Sequence, residues 1–254
     1  MEKSTLHTHY QDIAANYSSL WSFDKDAPHE AWKLEQVIKK FQLQPADKVC
    51  DLGGGPGNFA MQIHQKAQLS NSVLVVDICK QFVEQAAQLP NVESLHTDAF
   101  SFARTPNETL FDKILIKEMI HHLDEERLHL FFKNIRQLLS PNGQLLILTR
   151  PQKVPHFPFF EAARKEWEKH QRPASFYIEK LQKGGFTKVS SEVETFSIKL
   201  LSKTWFQLIR HRFWSNLSTF SDEEIETGIL EIKENMTGKH FDFIDKCVFI
   251  SALK

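Results

Sequence analysis

The sequence predicts an α/β fold in which helices cover both faces of a mostly parallel β-sheet. Between residues 48 and 149, short apolar segments rich in β-branched residues alternate with amphipathic segments of helical period. Parallel strands joined by helical crossovers produce this order. A glycine-rich turn at residues 53–57 also joins the first apolar segment to a helical one. The length of 254 residues suits one such domain with an added segment.

Each element of this repeat has its own local signal. Pro28 marks a helix start, and Asp124 is predicted to cap a later helix because its carboxylate can accept backbone N–H groups. The Ser-Pro-Asn-Gly sequence at 140–143 predicts a turn before the next strand. We predict strands at residues 48–52, 73–76, 92–96, 112–116 and 144–149, and helices at 58–69 and 81–89.

The pattern changes after Pro151. Helices are predicted at residues 156–170, from Ser175 to the glycines at 184 and 185, around Trp205, and from a capping box at 221–224. Extended segments are predicted at 187–200 and 241–253. We therefore expect seven strands, with residues 155–236 as a helical insertion before the last strand. Residues 27–254 would form one domain, preceded by a separate segment at 1–26.

Composition argues against several classes of protein. Basic and acidic residues nearly balance, at 31 and 32, so a nucleic-acid partner is not expected. The sequence contains neither an apolar leader nor a run of about 18 apolar residues, so no membrane association is expected. The three cysteines form no CxxC pair, which indicates neither a disulfide framework nor a zinc site. We expect a cytoplasmic protein, a monomer or weak dimer, with no metal requirement.

The glycine-rich turn, VCDLGGGPGN at residues 49–58, is the strongest functional signal. A phosphate-binding P-loop would need a Lys-Ser or Lys-Thr pair, which is absent from this turn. A dinucleotide loop would need a glycine where Asn58 stands, and Asp51 at the strand end would repel a pyrophosphate. An acidic strand end suits a cationic ligand that carries an ammonium and a sulfonium. S-adenosylmethionine (SAM) is such a ligand.

Acidic residues follow the next two predicted strands, Asp77 after 73–76 and Asp98 after 92–96. Asp77 can accept hydrogen bonds from both hydroxyls of a ribose, a contact that nicotinamide dinucleotides would also use. Asp98 can accept from an adenine amino group, and Phe100 offers an apolar wall beside it. Either aspartate can also simply begin a turn.

These segments together resemble the class I SAM-dependent methyltransferases, specifically the methyltransferase type 11 group. The matching pieces are DLGGGPG at 51–57, VVDI at 75–78, HTDAF at 96–100, FDKILIKEMIHHL at 111–123 and LLSPNGQLLI at 138–147. The resemblance covers roughly residues 45–150, and it implies a Rossmann-like sheet. It also implies SAM as cofactor and S-adenosyl-L-homocysteine as product.

The resemblance assigns cofactor contacts residue by residue. Gly53, Gly55 and Gly57 would lie against SAM, with Asp51 near its methionine end, Asp77 on its ribose and Asp98 on its adenine. The neighbouring residues that complete this implied site are Gly54, Ile78, Ala99, Phe100 and Lys117. Residues 10–17 resemble the family's Y-x-x-I-A-x-x-Y leader, so Tyr10 and Tyr17 are candidates for a lid in the segment 1–26. Plain helix packing is the alternative for that leader.

The segment after the fourth strand should face the methyl group, because ligands in open α/β sheets lie beyond the carboxyl ends of the strands. His121 and His122 are candidate general bases near neutral pH, although each could instead pack at a helix start. Lys117 stands where we expect a small residue. Glu118 and His122 are candidate substrate contacts. The segment KEMI does not match the Pro-Pro motif of DNA amino-base methyltransferases.

The stretch after residue 150 supplies further substrate candidates. Arg150 follows the fifth strand, and Arg210 and Trp214 lie in an aromatic and basic segment. Arginine binds carboxylates and phosphates through two hydrogen bonds, and aromatic side chains wall small-molecule pockets. A solvated basic face on an amphipathic helix is the other interpretation of that segment.

The sequence thus predicts an enzyme that transfers a methyl group from SAM to an O, N, S or C nucleophile of a small molecule by in-line displacement. Three alternatives stay open. One is a SAM-binding regulatory or structural subunit without turnover, and another is an RNA or protein methyltransferase. An NAD-linked oxidoreductase is disfavoured by Asn58 and Asp51.

Overall fold

The computed structural model of the protein describes residues 28–105 and 110–254. The expected lid at residues 1–26, with Tyr10 and Tyr17, therefore lies outside the described residues. The α-helices are α1 (Pro28–Phe41), α2 (Asn58–Ala67), α3 (Lys80–Ala86), α4 (Ala99–Arg104), α5 (Leu128–Leu138), α6 (Glu161–His170), α7 (Ala174–Lys183), α8 (Ser202–Arg210) and α9 (Asp222–Glu234). The strands are β1 (Val49–Leu52), β2 (Val73–Asp77), β3 (Val92–His96), β4 (Phe111–Lys117), β5 (Leu139–Thr149), β6 (Lys188–Leu201) and β7 (His240–Leu253).

The described strands form a seven-stranded sheet in the order β3-β2-β1-β4-β5-β7-β6. Strand β1 pairs in parallel with β2 and β4, and the parallel pairing continues to β3 on one side and β5 on the other. Strand β7 pairs antiparallel with β5, with Val248 opposite Thr149. The predicted fold class, a mostly parallel sheet of seven strands with surrounding helices, is confirmed.

The buried positions explain why the parallel strands are so apolar. All four residues of β1 are buried, as they must be when helices cover both faces of a parallel sheet. Helix α5 packs Phe131 and Ile135 into the same core, where both are fully buried. The apolar stripe of that helix, visible in the sequence at helical spacing, is thus the surface that it presents to the sheet.

The described chain divides into two compact units. The first, here called the sheet unit, comprises Glu30–Thr149, Pro173–Val193 and Val248–Lys254. The second, here called the aromatic unit, comprises His29 together with Arg150–Arg172 and Glu194–Cys247. The expected insertion at 155–236 is therefore not one block, because α7 and the first part of β6 belong to the sheet unit. Tyr177 and Leu181 of α7 are buried in the same core cluster as α5.

The aromatic unit has a core of its own. Trp205 and Trp214 lie with ring centroids 4.8 Å apart, and Phe159 packs edge-on to Trp214 at 5.0 Å. The indole N–H of Trp205 donates to the carbonyl of Pro158 at 2.7 Å, so burial of this large side chain leaves its polar atom satisfied. Phenylalanine and tryptophan are frequent after residue 155, and this packing explains why.

Three helix starts differ from the prediction, and the largest shift is in α6, which begins at Glu161 and not at residue 156. Helix α5 begins at Leu128 and not at Asp124, whose carboxylate instead accepts from the backbone N–H of Glu126 in a preceding turn. Helix α7 begins at Ala174, directly after Pro173, so Ser175 lies inside the helix and does not cap it. Aspartate and serine stabilise turns as well as helix ends, and the sequence signal is the same for both.

The Ser-Pro-Asn-Gly segment at 140–143 lies within β5 rather than between two elements. Pairing with β4 jumps from Phe111 opposite Leu139 to Lys113 opposite Gln144. Four residues of β5 therefore face one residue of β4, and this short stretch bulges out of the ladder.

None of the described helices combines the length and the apolar character needed to cross a bilayer.

The capping box of α9 offers a test of the fold. The Ser221 side chain accepts from the backbone N–H of Glu224, and the Glu224 side chain accepts from the backbone N–H of Ser221. Ser221→Ala removes one of these bonds, and we expect Tm to fall by about 2–4 °C in thermal unfolding followed by circular dichroism. Glu224→Gln retains the acceptor and should leave Tm nearly unchanged. Equal losses in both variants would contradict the capping role.

Candidate active site

The glycine loop joins β1 to α2, and Asp77 at the end of β2 holds it in place. The backbone N–H of Gly55 donates to Asp77 Oδ2 at 2.9 Å, and the N–H of Cys79 donates to Asp77 Oδ1 at 2.8 Å. Burial raises the pKa of Asp77, although these backbone hydrogen bonds oppose that effect. The predicted ribose-binding residue thus also fixes the shape of the loop beside it.

The four glycines of the loop are required for different reasons. A Cβ on Gly53 would lie 2.6 Å from Met119 Cγ, and a Cβ on Gly54 would lie 2.8 Å from the Asp51 carboxylate. A Cβ on Gly57 would lie 2.9 Å from the Cβ of Ala86. These three positions are close-packed against the protein itself.

Gly55 differs from the other three glycines in the space around it and not in the sign of its φ, because Gly53 and Gly57 also have positive φ values. Its φ of 57° lies in the left-handed region that favours glycine. A Cβ there would meet nothing in the described structure closer than the Phe82 ring, at 4.0 Å. Of the four glycines, Gly55 is therefore the position where a side chain would project into open space. That space lies beside Asp77.

Asp51 is a buried carboxylate on the strand that leads into the loop. It is 1% exposed, and its Oδ1 has no hydrogen-bond partner among the described residues. Burial raises the pKa of Asp51 to about 7; the Lys117 charge opposes this shift and the Asp77 charge adds to it. A buried carboxylate without a bonded partner is costly, so the arrangement favours a cationic ligand at this position.

Lys117, at the end of β4, is part of a network of charged side chains. Its ammonium lies 3.4 Å from Glu30 Oε2 and 4.6 Å from the centroid of the Phe59 ring. Glu30 also receives a 2.6 Å hydrogen bond from Lys33, a lysine that is only 3% exposed. These contacts hold the Lys117 side chain at the carboxyl end of β4.

Glu118 follows Lys117 and adopts a strained backbone. Its φ of 55° is unusual for a residue with a side chain, and functional sites often contain such strained residues. Its N–H donates to the carbonyl of Leu148 at 2.8 Å, and its carboxylate lies 3.9 Å from Lys33. The candidate substrate contact Glu118 thus lies next to the charged network.

The histidine pair lies one turn further on, in a short 3-10 helix, Ile120–His122. The ring centroids of His121 and His122 are 4.0 Å apart, and both residues are half-buried. The backbone N–H of His122 donates to the carbonyl of Met119 at 2.9 Å. The sequence and the structure agree that both rings follow the carboxyl end of β4.

The predicted adenine side of the site has a different character. Asp98 caps α4, since its Oδ1 accepts from the N–H groups of Phe100 and Ser101, both at 3.0 Å. Partial burial raises the pKa of Asp98, but these hydrogen bonds outweigh it and the net pKa lies below the usual value. Ala99 begins the helix and is half-buried.

Phe100 is buried in the core, whereas Ile78 is exposed at the edge of the sheet. Phe100 is 9% exposed and packs 5.4 Å from Phe131, with the Arg127 guanidinium 4.3 Å above its ring. It is a core residue more than the apolar wall that we expected. Ile78, directly after Asp77, is 49% exposed. An exposed aliphatic side chain at this edge of the sheet is the better candidate for such a wall.

The remaining substrate candidates lie in the aromatic unit, and each has a partner there. Arg210 binds Glu226 through two hydrogen bonds, of 2.6 and 2.9 Å. Arg150 is buried and forms an ion pair with Asp245. Trp214 is partly buried and packs against the core cluster of this unit. Their side chains are thus used in structural contacts.

Sequence reasoning missed three residues that shape the site, namely Glu30, Lys33 and Met119. Glu30 and Lys33 lie at i, i+3 in α1, a spacing that usually indicates an exposed helical ion pair. Met119 carried no signal at all, yet it fills the space that the absent side chain of Gly53 leaves. Only the fold brings these residues to the glycine loop.

Comparison with known proteins agrees with this geometry. Residues 49–143 match the model of a family described as "Methyltransferase domain". A demethylmenaquinone methyltransferase from Staphylococcus carnosus is 23% identical over 176 residues, which cover 68% of this chain and 70% of that protein. A ubiquinone/menaquinone biosynthesis C-methyltransferase from Francisella philomiragia is 26% identical over 146 residues, covering 55% and 56% of the two chains.

Solved structures share the fold at lower identity. A SAM-dependent methyltransferase from Archaeoglobus fulgidus aligns with a TM-score of 0.56 and 19% identity, covering 89% of this chain and 92% of that one. Phosphoethanolamine N-methyltransferase 2 from Haemonchus contortus, solved with SAM, aligns with a TM-score of 0.61 and 17% identity, covering 96% of this chain and 60% of that one. The loop, the carboxylates at the strand ends and these matches agree: residues 49–143 match a methyltransferase domain, and the chain is similar in sequence to quinone methyltransferases and in fold to SAM-dependent methyltransferases.

Proposed function

We propose that this protein methylates a small molecule, with the carboxyl edge of the sheet unit as its cofactor site. The observation that carries the site assignment is the proximity of a buried acidic residue, Asp51, to a half-buried lysine, Lys117, at neighbouring strand ends. The acceptor class is supported by the relatives, since those from Staphylococcus and Francisella are named for quinone substrates. The near-balance of basic and acidic residues also favours a small acceptor over RNA.

The charges suit the amino-acid end of SAM. That end is a zwitterion, with an ammonium and a carboxylate a few ångströms apart. The Asp51 carboxylate can receive the ammonium, and the Lys117 ammonium can receive the carboxylate. Glu30 and Phe59 hold Lys117 in position for this contact. Charge-assisted hydrogen bonds of this kind are stronger than neutral ones.

The nucleoside would lie beside Gly55 and Asp77. The two Asp77 oxygens each accept one backbone N–H, and a carboxylate offers about four acceptor sites in all. Asp77 can therefore accept ribose hydroxyls without releasing the loop. Ile78 would cover one face of the base. Asp98 keeps its proposed adenine contact only through the oxygen that does not cap α4.

Bound SAM supplies a methyl group on a sulfonium, activated for in-line displacement. The chain contributes orientation, which accounts for much of the rate in such reactions. His121 and His122 follow β4 and are proposed to accept a proton if the acceptor starts protonated. Glu118 and His122 are the proposed acceptor contacts. The proposal does not extend to Arg150, Arg210 and Trp214, because their structural contacts account for them.

The glycine loop gives the first test. Gly55→Ala adds a methyl group in open space, with a left-handed strain of about 1–2 kcal/mol. We expect Tm to fall by no more than this strain implies, about 2–8 °C, and binding of S-adenosylhomocysteine, measured by isothermal titration calorimetry, to weaken strongly. Gly57→Ala is the matched control, because its methyl would strike Ala86 inside the protein. It should lower Tm by clearly more. Normal affinity in a folded Gly55→Ala variant would show that the ligand does not pass Gly55.

The raised pKa of Asp51, about 7, gives the second test. The acid must be ionised to pair with an ammonium, so affinity for S-adenosylhomocysteine should rise with pH up to about 7 and then level off. Asp51→Asn should bind weakly at every pH. The folded pKa lies above the ordinary value of 3.8. Protonated Asp51 therefore stabilises the ligand-free fold at low pH, and this contribution is lost as the pH rises through about 7. An affinity independent of pH in the unmodified protein would contradict the Asp51 assignment.

The proposed reaction is tested by offering the protein a library of small metabolites with isotopically labelled SAM. We expect label in a small-molecule product identified by mass spectrometry. Gly55→Ala protein, folded but deficient in cofactor, is the control that should give no product. Label recovered only in RNA or protein would overturn the small-molecule assignment. Tight SAM binding without any transfer across the library would instead favour a regulatory subunit.

A further inference from the structure

Three side chains of the aromatic unit bring different metal-binding atoms to one place. They are His29, Asp245 and Cys247, and their imidazole nitrogen, carboxylate oxygen and sulfur all lie within 4.8 Å of one another. Nε2 of His29 is 2.7 Å from Oδ2 of Asp245. Imidazole, carboxylate and thiolate are the three ligand types that bind zinc in proteins.

The backbone explains why two of these side chains converge. Asp245 and Cys247 are two residues apart in β7, so their side chains point to the same face of the strand. Both are buried, with exposures of 2% and 0%. Because both side chains are buried, the carboxylate and the sulfur lie on the same side of the strand before any ligand binds.

His29 reaches the same place from the first turn of α1. Its ring lies 5.2 Å from the ring of Phe196, at an interplanar angle of 33°. This contact limits rotation of the imidazole. His29 is only partly buried, with 13% of its side chain exposed.

Arg150 fixes the orientation of the carboxylate. Its guanidinium donates to Asp245 Oδ1, which leaves Oδ2 directed at His29. Carboxylates that bind metals are commonly held in this way by a hydrogen bond to the oxygen that does not face the ion. Arg150 also balances part of the negative charge that a buried carboxylate and thiolate would bring.

We propose that His29, Asp245 and Cys247 bind a zinc ion. Zinc–ligand distances of about 2.0–2.3 Å place neighbouring donors of a tetrahedral site roughly 3.3–3.8 Å apart. Small side-chain rotations reach this spacing from the arrangement observed. On binding, the S–H bond of Cys247 breaks, its proton passes to solvent and the sulfur bonds to the metal. Water or a further protein donor completes the fourth position.

Such an ion would stabilise the fold of the aromatic unit. His29 belongs to the first segment of that unit, and Asp245 and Cys247 end its last segment. Zinc would therefore cross-link parts of the chain separated by more than two hundred residues, which restricts the unfolded state strongly. This role is separate from methyl transfer, and the proposal does not depend on the identity of the acceptor.

The test uses purified, chelator-treated protein and the chlorides of Zn²⁺ and Co²⁺ as probes. Mass spectrometry of metals should find about one zinc per chain after zinc is added and excess removed, and Tm should rise with zinc concentration. With Co²⁺, a thiolate-to-cobalt charge-transfer band should appear in the near ultraviolet. That band reports a sulfur–metal bond directly.

Two matched variants identify the sulfur. Cys247→Ala and Cys50→Ala each remove a fully buried thiol from a strand. The cobalt band should vanish in Cys247→Ala and persist in Cys50→Ala. His29→Gln, at a more accessible position, should fold and should weaken zinc affinity by more than the roughly 10–100-fold that loss of an outer partner costs.

Three results would overturn the proposal. The first is that the unmodified protein retains no zinc and shows no cobalt band. The second is that the cobalt band persists in Cys247→Ala. The third is that the band is lost in Cys50→Ala as well as in Cys247→Ala. The first would show that the cluster is a buried ion pair between Arg150 and Asp245 with His29 beside it. Because the unmodified protein alone can give that result, the test stands even if Cys247→Ala fails to fold.

Discussion

The two hydrogen bonds accepted by Asp77 hold the candidate site together. One comes from Gly55 in the loop after β1, and the other from Cys79 in the turn before α3. The carboxylate therefore ties two neighbouring strand ends to each other at the edge where ligands bind. With the loop held in this shape, Gly53 fits against Met119 from the end of β4. One half-buried side chain thus helps to fix the loop at the ends of three of the central strands.

The charges next to this loop are not there for stability alone. Replacement of a buried charged network by apolar residues is often neutral or stabilising, so Asp51, Lys117, Glu30 and Lys33 need another explanation. Asp51 is nearly inaccessible, and its Oδ1 has no hydrogen-bond partner in the described part of the chain. A ligand that carries both an ammonium and a carboxylate would complete such a network. The electrostatics of the ligand-free protein therefore match the chemistry of the amino-acid end of SAM.

The features that the sequence predicted well are those encoded over a few neighbouring residues. The glycine loop, the apolar strands and the capping box at Ser221 each depend on residues close together in the chain, and the structure contains all three. Asp124 and Asp98 show the limit of this reasoning. An aspartate before a helical segment can begin a turn, cap a helix or bind a ligand, and the one expected to cap forms a turn while the one expected at the adenine forms a cap.

Long-range packing was harder to predict. Glu30 and Lys33 lie about twenty residues before the glycine loop, and their spacing alone suggested nothing beyond an ordinary helical pair. The stretch 155–236 has mixed character because α7 contributes to the core around α5, whereas α8 and α9 pack among the tryptophans of the aromatic unit. Helical period identifies which face of a helix is buried, but it does not identify the core that receives it.

The antiparallel entry of β7 has a consequence for how the chain folds. Leu145 and Leu148 of β5 are fully buried, and the partners of these residues in β7, Ala252 and Phe249, lie roughly a hundred residues further along the chain. Until β7 arrives, β5 has an unpaired apolar edge, the kind of surface on which folding intermediates associate with one another. Pairing over so long a separation is also slow. The step most exposed to aggregation during folding is therefore the closure of β7 onto β5, and demand for chaperones should concentrate there.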